Sequence, residues 1–392
     1  MRPPRFVPFA YGFRPFFLLA GLYALVAVGL WLWTFSGGIG QPDGTVPQHW
    51  HGHEMLFGFV AAAVAGFLLT AVPSWTGRRG FAGVPLKVLV ALWFSGRVAF
   101  AMQHSLPWWL VVIAELSFMP ALLAAVAPPL IRTVNRNSRL LFVLVALWCC
   151  DAVFLYATAV QDTALAAAAL RAGIDTVLVL VTVIAGRIVP AFTANALRAR
   201  GVEVAVRNVP ALENSVVVVM LLYAVSNAVA PFGPLTASVA AVAGMLHAWR
   251  LSRWHGHRTL SQPIVWVLHL AYLWLPAGLF LKAIHIATGS VFAAHWLHAL
   301  AAGAASTMII AVMTRAALGH TGRALVAPRP VAAAYLLLAL AVSIRVFGPA
   351  VWPTHYAETI LAAGGLWMLA FGIYVVIYTP VLLEPRVDGR AG

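Results

Sequence analysis

Apolar runs of about 20 residues recur along the whole chain, and they fix its solvent. At 1.5 Å per residue, such a run crosses the roughly 30 Å hydrocarbon core of a bilayer as a helix. Twelve runs fall at 14–35, 49–73, 85–103, 107–127, 139–159, 164–190, 211–230, 233–251, 264–285, 291–315, 330–348 and 356–381. Their length excludes barrel strands, which take about ten residues and alternate. Only 9% of the 392 residues are charged, against about 25% in a soluble domain. No linker or polar block marks an extramembrane domain. The expected fold is therefore all-α and integral to the membrane, with about twelve transmembrane helices in one polytopic domain, residues 1–392.

A formal net charge of +14 would suit nucleic acid if the basic groups formed one patch. They follow the runs instead. Arg2, Arg5 and Arg14 precede the first. Further groups lie in alternate connections: Arg78, Arg79, Lys87; Arg132, Arg136, Arg139; Arg187, Arg198, Arg200, Arg207; Arg250, Arg253, Arg258; Arg315, Arg323, Arg329. Arg386 and Arg390 follow the last run. The positive-inside rule then places both termini in the cytoplasm, and an even number of helices agrees. No nucleic-acid partner is expected; the bilayer is. A cleavable signal peptide is not expected either, since the first run is too long and no A-x-A-like site follows it. Cys149 and Cys150 are adjacent in one helix, which disfavours a disulfide between them, and no C-x-x-C-H attaches a haem covalently.

Ionisable groups inside a membrane are costly and tend to be functional. The threading puts His51, His53 and Glu54 in the outer third of the second helix. His295 and His298 lie at a similar depth in the tenth. Arg97, Arg171, Lys282, Arg345, Glu115, His285, His355 and Glu358 fall toward the same side, with Asp175 deeper. His247, His269 and His320 form an inner set, with Arg187 and Arg315 near the inner ends. Each histidine alone is more often a hydrogen-bonded helix-end residue than a ligand. His49, His104, His255, His257 and His355 are left as ordinary interfacial residues, and Glu115 and Asp151 are readily explained by pairing with polar neighbours. Spacing sets a few apart. On an α-helix His51 and His53 point roughly 200° from each other, so they suit two centres rather than one. His51 and Glu54 share a face. The stretch is not H-E-x-x-H, which excludes a zinc-protease motif.

The chain also echoes itself. From His53, "HEMLFGFVAAAVAGFLLTAVPSWTGR" ends at Arg78; from His298, "HALAAGAASTMIIAVMTRAALGHTGR" ends at Arg323. Each begins with His, has Gly sixth (Gly58, Gly303) and ends in Thr-Gly-Arg. The sixth run ends in "VPAFT", close to "VPSWT" of the second. His53 and His298 at matching depth suggest axial ligands facing each other across a porphyrin, with Gly58 and Gly303 leaving room for the macrocycle. The bland alternative for the glycines is close helix packing.

The stretches "FRPFF", "WHGHEMLFGF", "GFLLTAVPSWTGR", "GRIVPAFTAN", "WVLHLAYLW" and "HALAAGAASTMIIAVMTRAALGHTGR" resemble the NnrS family over nearly the whole chain. That resemblance implies a twelve-helix bacterial inner-membrane protein holding haem b and copper, associated with nitric oxide metabolism and nitrosative stress. The family's histidine-bearing motifs fall on His51, His53, His269, His298 and His320, the expected metal ligands, with Glu54, Arg187 and Arg315 as accompanying polar positions. A more distant similarity is to haem–copper oxidases and nitric oxide reductases, with twelve helices in three arcs of four and haem histidines on the second and tenth. The sixth and seventh helices, which hold copper there, carry no histidine here, so copper would need His269, His285, His295 or the inner set.

The leading expectation is an oxidoreductase that binds nitric oxide and reduces it to nitrous oxide. Glu54 and Arg315 are its candidate catalytic residues, with His51, His53, His298, Gly58 and Gly303 at the cofactor and an unidentified electron donor. Glu54 has two open roles: proton relay, or a partner that fixes a histidine ring. The alternatives are a non-catalytic transporter or metal-handling protein, and a haem-based nitric oxide sensor or buffer.

Overall fold

The computed structural model describes residues 6–38, 46–202, 206 and 209–389. Arg2, Arg5, Arg207 and Arg390 of the basic pattern lie outside the described residues. Among the described residues the chain is helical, without a strand. Its long helices are α1 (Phe13–Phe35), α2 (Pro47–Thr76), α3 (Val84–Ala101), α4 (Trp108–Arg132), α5 (Leu140–Ala159), α6 (Thr163–Arg198), α7 (Pro210–Val229), α8 (Pro234–Ser252), α9 (Pro263–Thr288), α10 (Val291–His320), α11 (Arg329–Val351) and α12 (Tyr356–Leu383). The twelve apolar runs thus correspond one to one with helices. Eleven are long and apolar enough to cross a membrane; α8 falls short by composition, because Thr236, His247 and Arg250 dilute it. Prolines open α2, α3, α7, α8, α9 and α11 at the first or second position, where the missing N–H would be unpaired in any case.

Two helices are interrupted at the places where the sequence echoes itself. In α2, α-helix Pro47–His53 passes into a π segment, Glu54–Val60, before α-helix resumes at Ala61. In α10, Trp296–His298 passes into a π segment, Ala299–Ser306. A π turn holds an extra residue, so the side chains before it are rotated relative to those after it. It also frees carbonyl groups: Trp93 Nε1 donates to Gly58 O at 3.0 Å, and Thr307 Oγ1 donates to Ala302 O, five residues back, at 3.3 Å. The repeated Thr-Gly-Arg is a helix stop. Gly77 and Gly322 have φ of +67° and +73°, the left-handed conformation that ends a helix and that a Cβ disfavours. The "VPSWT" and "VPAFT" likeness is also structural: Thr76 and Thr193 each donate to the carbonyl of the Val four residues earlier, at 2.8 Å.

The chain divides into two compact units, each drawn from several stretches. Unit 1 comprises Met1–Gly173, Ala316–Ala324 and Phe371–Gly392; unit 2 comprises Ile174–Arg315 and Leu325–Ala370. In unit 1, α1 packs on α2, α2 on α4, α3 on α4 and α4 on α5. The "FRPFF" stretch belongs to its core. Phe13, Phe16 and Phe17 are buried, and the fully buried Arg14 donates to Leu382 O at 2.9 Å and Glu384 O at 2.7 Å. These are carbonyls at the C-terminal end of α12, where a cation is favoured. In unit 2, α8 packs on α7 and α9, and α10 on α9 and α11.

Candidate functional site

Four helices of unit 1 bring five ionisable side chains into one buried cluster. The π segment of α2 starts at Glu54, directly after His53, and both side chains leave the helix toward α3, α4 and α5. Glu54 Oε1 lies 2.8 Å from His53 Nδ1 and accepts from Arg97 Nη1 on α3 at 2.7 Å. Arg97 Nη2 donates to Glu115 Oε2 on α4. His53 Nε2 lies 3.1 Å from Asp151 Oδ1 on α5. All five residues are at most 7% exposed.

Counting hydrogens limits what this cluster can hold. A neutral imidazole has one N–H, and an ionised carboxylate only accepts. Both nitrogens of His53 face carboxyl oxygens. Either the ring is doubly protonated, or one carboxyl carries a proton and donates it to the ring. In both cases the three acids, one guanidinium and one imidazole retain at least one transferable proton. Glu115 Oε1 and Arg97 Nε have no hydrogen-bond partner. Beside them is a cavity of about 10 Å³, lined among others by Phe57, Trp93, Arg97, Glu115 and Asp151. That is near the smallest space that holds a water.

The sequence marked Glu54, and here it bonds to the ring of His53, not of His51. The ring of His51 instead stacks on Trp31 at 4.9 Å. The two histidines thus have different surroundings, as their spacing predicts. In the sequence Arg97 and Glu115 are legible only as separate charged residues toward helix ends, and Asp151 only as an acid that pairs with polar neighbours. Their opposite charges at one depth on consecutive helices were the available signal.

A haem at His53 does not fit this arrangement. Both ring nitrogens are engaged, and the rings of Phe57, Phe100 and Phe154 enclose it at 5.0, 4.1 and 4.6 Å. The faces of the two glycines are filled by aromatic rings of their own units: a Cβ at Gly58 would strike Tyr23, and one at Gly303 would strike Trp274. Donor atoms of His53, Glu54 and Glu115 lie within 4.8 Å of one another, close enough for a small cation. Arg97 already supplies the positive charge to both carboxylates, so copper does not fit while the guanidinium is in place.

The other marked residues fall into separate groups. In unit 2, His298 precedes the second π segment with its ring 6.4 Å from that of His295. The Arg315 guanidinium lies 3.9 Å over the ring of Phe192. His269 meets Thr193 at 2.8 Å. His247 meets Tyr272 at 2.6 Å, and Arg250 joins Tyr272 to Glu213. Lys282, fully buried, donates to Asn227 and sits 4.0 Å over Trp296, while Asn227 donates to Asp175 at 2.5 Å. In unit 1, His320 packs its ring on Tyr11 and Phe13, and its carbonyl accepts from Arg386 at 2.6 Å.

A family model described as NnrS protein matches residues 7–386. No protein of curated function matches the chain.

Proposed function

The chain belongs to the NnrS family, and from that premise we propose that it reduces nitric oxide to nitrous oxide in the bacterial inner membrane, with both termini cytoplasmic. Two nitric oxide molecules, two protons and two electrons give nitrous oxide and water. An N–N bond forms, one N–O bond breaks, and the oxygen leaves as water. The electrons come from an external one-electron carrier. This chain's own residues supply protons and a place of fixed polarity inside the membrane. One observation carries the reading: a single guanidinium serves buried acids around a histidine whose two nitrogens both face carboxyl groups. Such a group can pass a proton between its carboxyls and the imidazole beside a fixed guanidinium, which stabilises the negative charge that the transfer moves. Glu54 then has both of its expected roles, fixing the ring of His53 and sharing its proton.

The proposal extends to haem b and copper, which the family resemblance implies. With His53 committed to the cluster, the nitrogen donors left for them among the expected ligands are those of His51, His269, His298 and His320.

The test is anaerobic turnover by the purified protein in proteoliposomes, with ascorbate and a small mediator as reductant. Nitric oxide is followed at an electrode and nitrous oxide by gas chromatography. Wild type should form one nitrous oxide per two nitric oxide consumed. Glu54→Gln and Asp151→Asn should each slow turnover by about 100-fold, the scale of general acid catalysis. Absence of nitrous oxide from wild type would refute the reading.

A further inference from the structure

A second buried group of ionisable side chains lies in unit 2, near the C-terminal end of α8. Tyr272 on α9 and His247 on α8 are fully buried, and the phenol oxygen of Tyr272 lies 2.6 Å from His247 Nδ1. Arg250, one turn further along α8, donates from Nη1 to the same oxygen at 3.0 Å and to Thr182 O on α6 at 2.8 Å. Its charge is balanced by Glu213 on α7, which accepts from Nε at 3.1 Å and from Nη2.

The partners of Tyr272 fix where its hydrogen points. A guanidinium only donates, so the phenol oxygen accepts from Arg250. Its own O–H then needs an acceptor, and His247 Nδ1 is the one within reach. The reverse assignment, with Nδ1 donating to the oxygen, would leave a buried O–H with no acceptor, which folded proteins avoid. His247 is therefore neutral, with a lone pair on Nδ1 and its hydrogen on Nε2, an atom that is buried and has no hydrogen-bond partner.

A phenol held on an imidazole nitrogen can lose an electron and a proton together. Without a base, removing the electron would leave a positive charge on the ring in a medium of low dielectric. With Nδ1 in place, the proton crosses one hydrogen bond as the electron leaves, and a neutral phenoxyl results. Glu213 already compensates Arg250, so the imidazolium that forms does not share the site with an unpaired guanidinium. Trp254, buried in the connection between α8 and α9, lays its ring against that of Tyr272 at 4.5 Å. It gives electrons a short aromatic path from Tyr272 toward the exposed His257 and Arg258 of the same connection.

We propose that Tyr272 is a redox-active tyrosine, which gives one electron to a high-potential one-electron oxidant while its proton passes to His247 Nδ1. The O–H bond breaks, an N–H bond forms, and the oxidant gains the electron. Nitrogen dioxide, the radical that nitric oxide and dioxygen produce, is an oxidant of this class and leaves as nitrite. One electron from an external carrier, with the proton returned from His247, restores the phenol. The pair thus disposes of oxidising radicals within the membrane. It does so whether or not the chain reduces nitric oxide.

The test uses the full chain, purified in detergent. Flash-generated tris(bipyridine)ruthenium(III) is the oxidant, and samples are frozen at successive times for electron paramagnetic resonance. Wild type made with isotope-labelled histidine should give a tyrosyl signal in which electron–nuclear double resonance resolves an exchangeable proton and a histidine nitrogen. Tyr272→Phe should lose that component and keep any signal from the exposed Tyr156 and Tyr356. His247→Gln retains an acceptor but takes up no proton. The component should form about 100-fold more slowly there, the scale lost with a positioned base, and solvent deuterium should no longer slow it. A wild-type tyrosyl signal without histidine coupling would overturn the proposal. So would a coupled component that survives Tyr272→Phe, or one that forms at the wild-type rate in His247→Gln. The histidine coupling is read on wild type, so it does not depend on how either variant folds.

Discussion

Arg97 is the residue on which the buried cluster of unit 1 depends. It is the one guanidinium among Glu54, Glu115 and Asp151, and its bonds to Glu54 and Glu115 hold α2 to α3 and α3 to α4. Removing one partner of a buried ion pair is far more damaging than never having built it, because the remaining charge stays in low dielectric. Arg97→Gln should therefore destabilise unit 1 by about 3–5 kcal/mol, measured as a fall in the melting temperature of the detergent-solubilised protein. Asp151→Asn removes a charge and retains a group that hydrogen-bonds to His53, so its melting temperature should change much less. Equal melting of Arg97→Gln and wild type would mean that solvent or another cation screens the acids. These residues show how far the sequence could be followed. His53 and Glu54 were visible because ionisable groups in an apolar run stand out locally. Their partners come from three other helices, 18 to 98 positions along the chain from the residues they bond, and only packing brings them together.

At the scale of the helix, the apolar runs predicted existence and order well and ends less well. The sixth apolar run ends at residue 190, but α6 continues to Arg198, because Pro190 is tolerated inside the helix and polar residues extend it beyond the apolar stretch. The π segments were not legible: an extra residue in a turn leaves no mark on a uniformly apolar run. The echo of His, Gly and Thr-Gly-Arg was legible, and its parts have separate causes, in the π segment, the aromatic packing and the helix stop. Two substitutions separate these causes. Gly77→Ala puts a Cβ into a left-handed residue with open space around it, a loss of about 1–2 kcal/mol. Gly322→Ala carries the same strain, and its Cβ also lies 2.9 Å from the Asp388 carboxyl carbon. The melting temperature should fall further for Gly322→Ala; the reverse order would contradict this account of the stop. Deleting Met55 should convert Glu54–Val60 to α-helix and turn His53 and Glu54 by about 100° relative to Ala61–Thr76. The expected result is helical circular dichroism close to wild type with a melting temperature as low as that of Arg97→Gln. Melting like wild type would show that the extra residue does not aim these side chains.

For the whole molecule, the source of the cluster's protons depends on which face of the membrane each helix end meets. The termini and alternate connections, with the helix ends beside them, carry 21 of the 25 arginines and lysines, and consecutive helices that cross the membrane do so in opposite directions. In the proposed orientation Arg78, Arg79 and Lys87 between α2 and α3, and Arg132, Arg136 and Arg139 between α4 and α5, share the cytoplasmic face. His53 and Glu54 near the start of α2, Arg97 near the end of α3 and Glu115 near the start of α4 all belong to the opposite ends, so in the proposed orientation the cluster of unit 1 lies toward the periplasm. Protons for it would then be drawn from outside the cell. A fused reporter that is active only in the periplasm tests this directly. Placed after Asp162, between α5 and α6, it should be active; placed after Arg200, beyond the end of α6, it should be silent. A reporter active only in the cytoplasm should give the opposite pair. Periplasmic activity at Arg200 would invert every helix and move the cluster to the cytoplasmic side. It would leave the bonds among His53, Glu54, Arg97, Glu115 and Asp151 as they are and change only the compartment that feeds them.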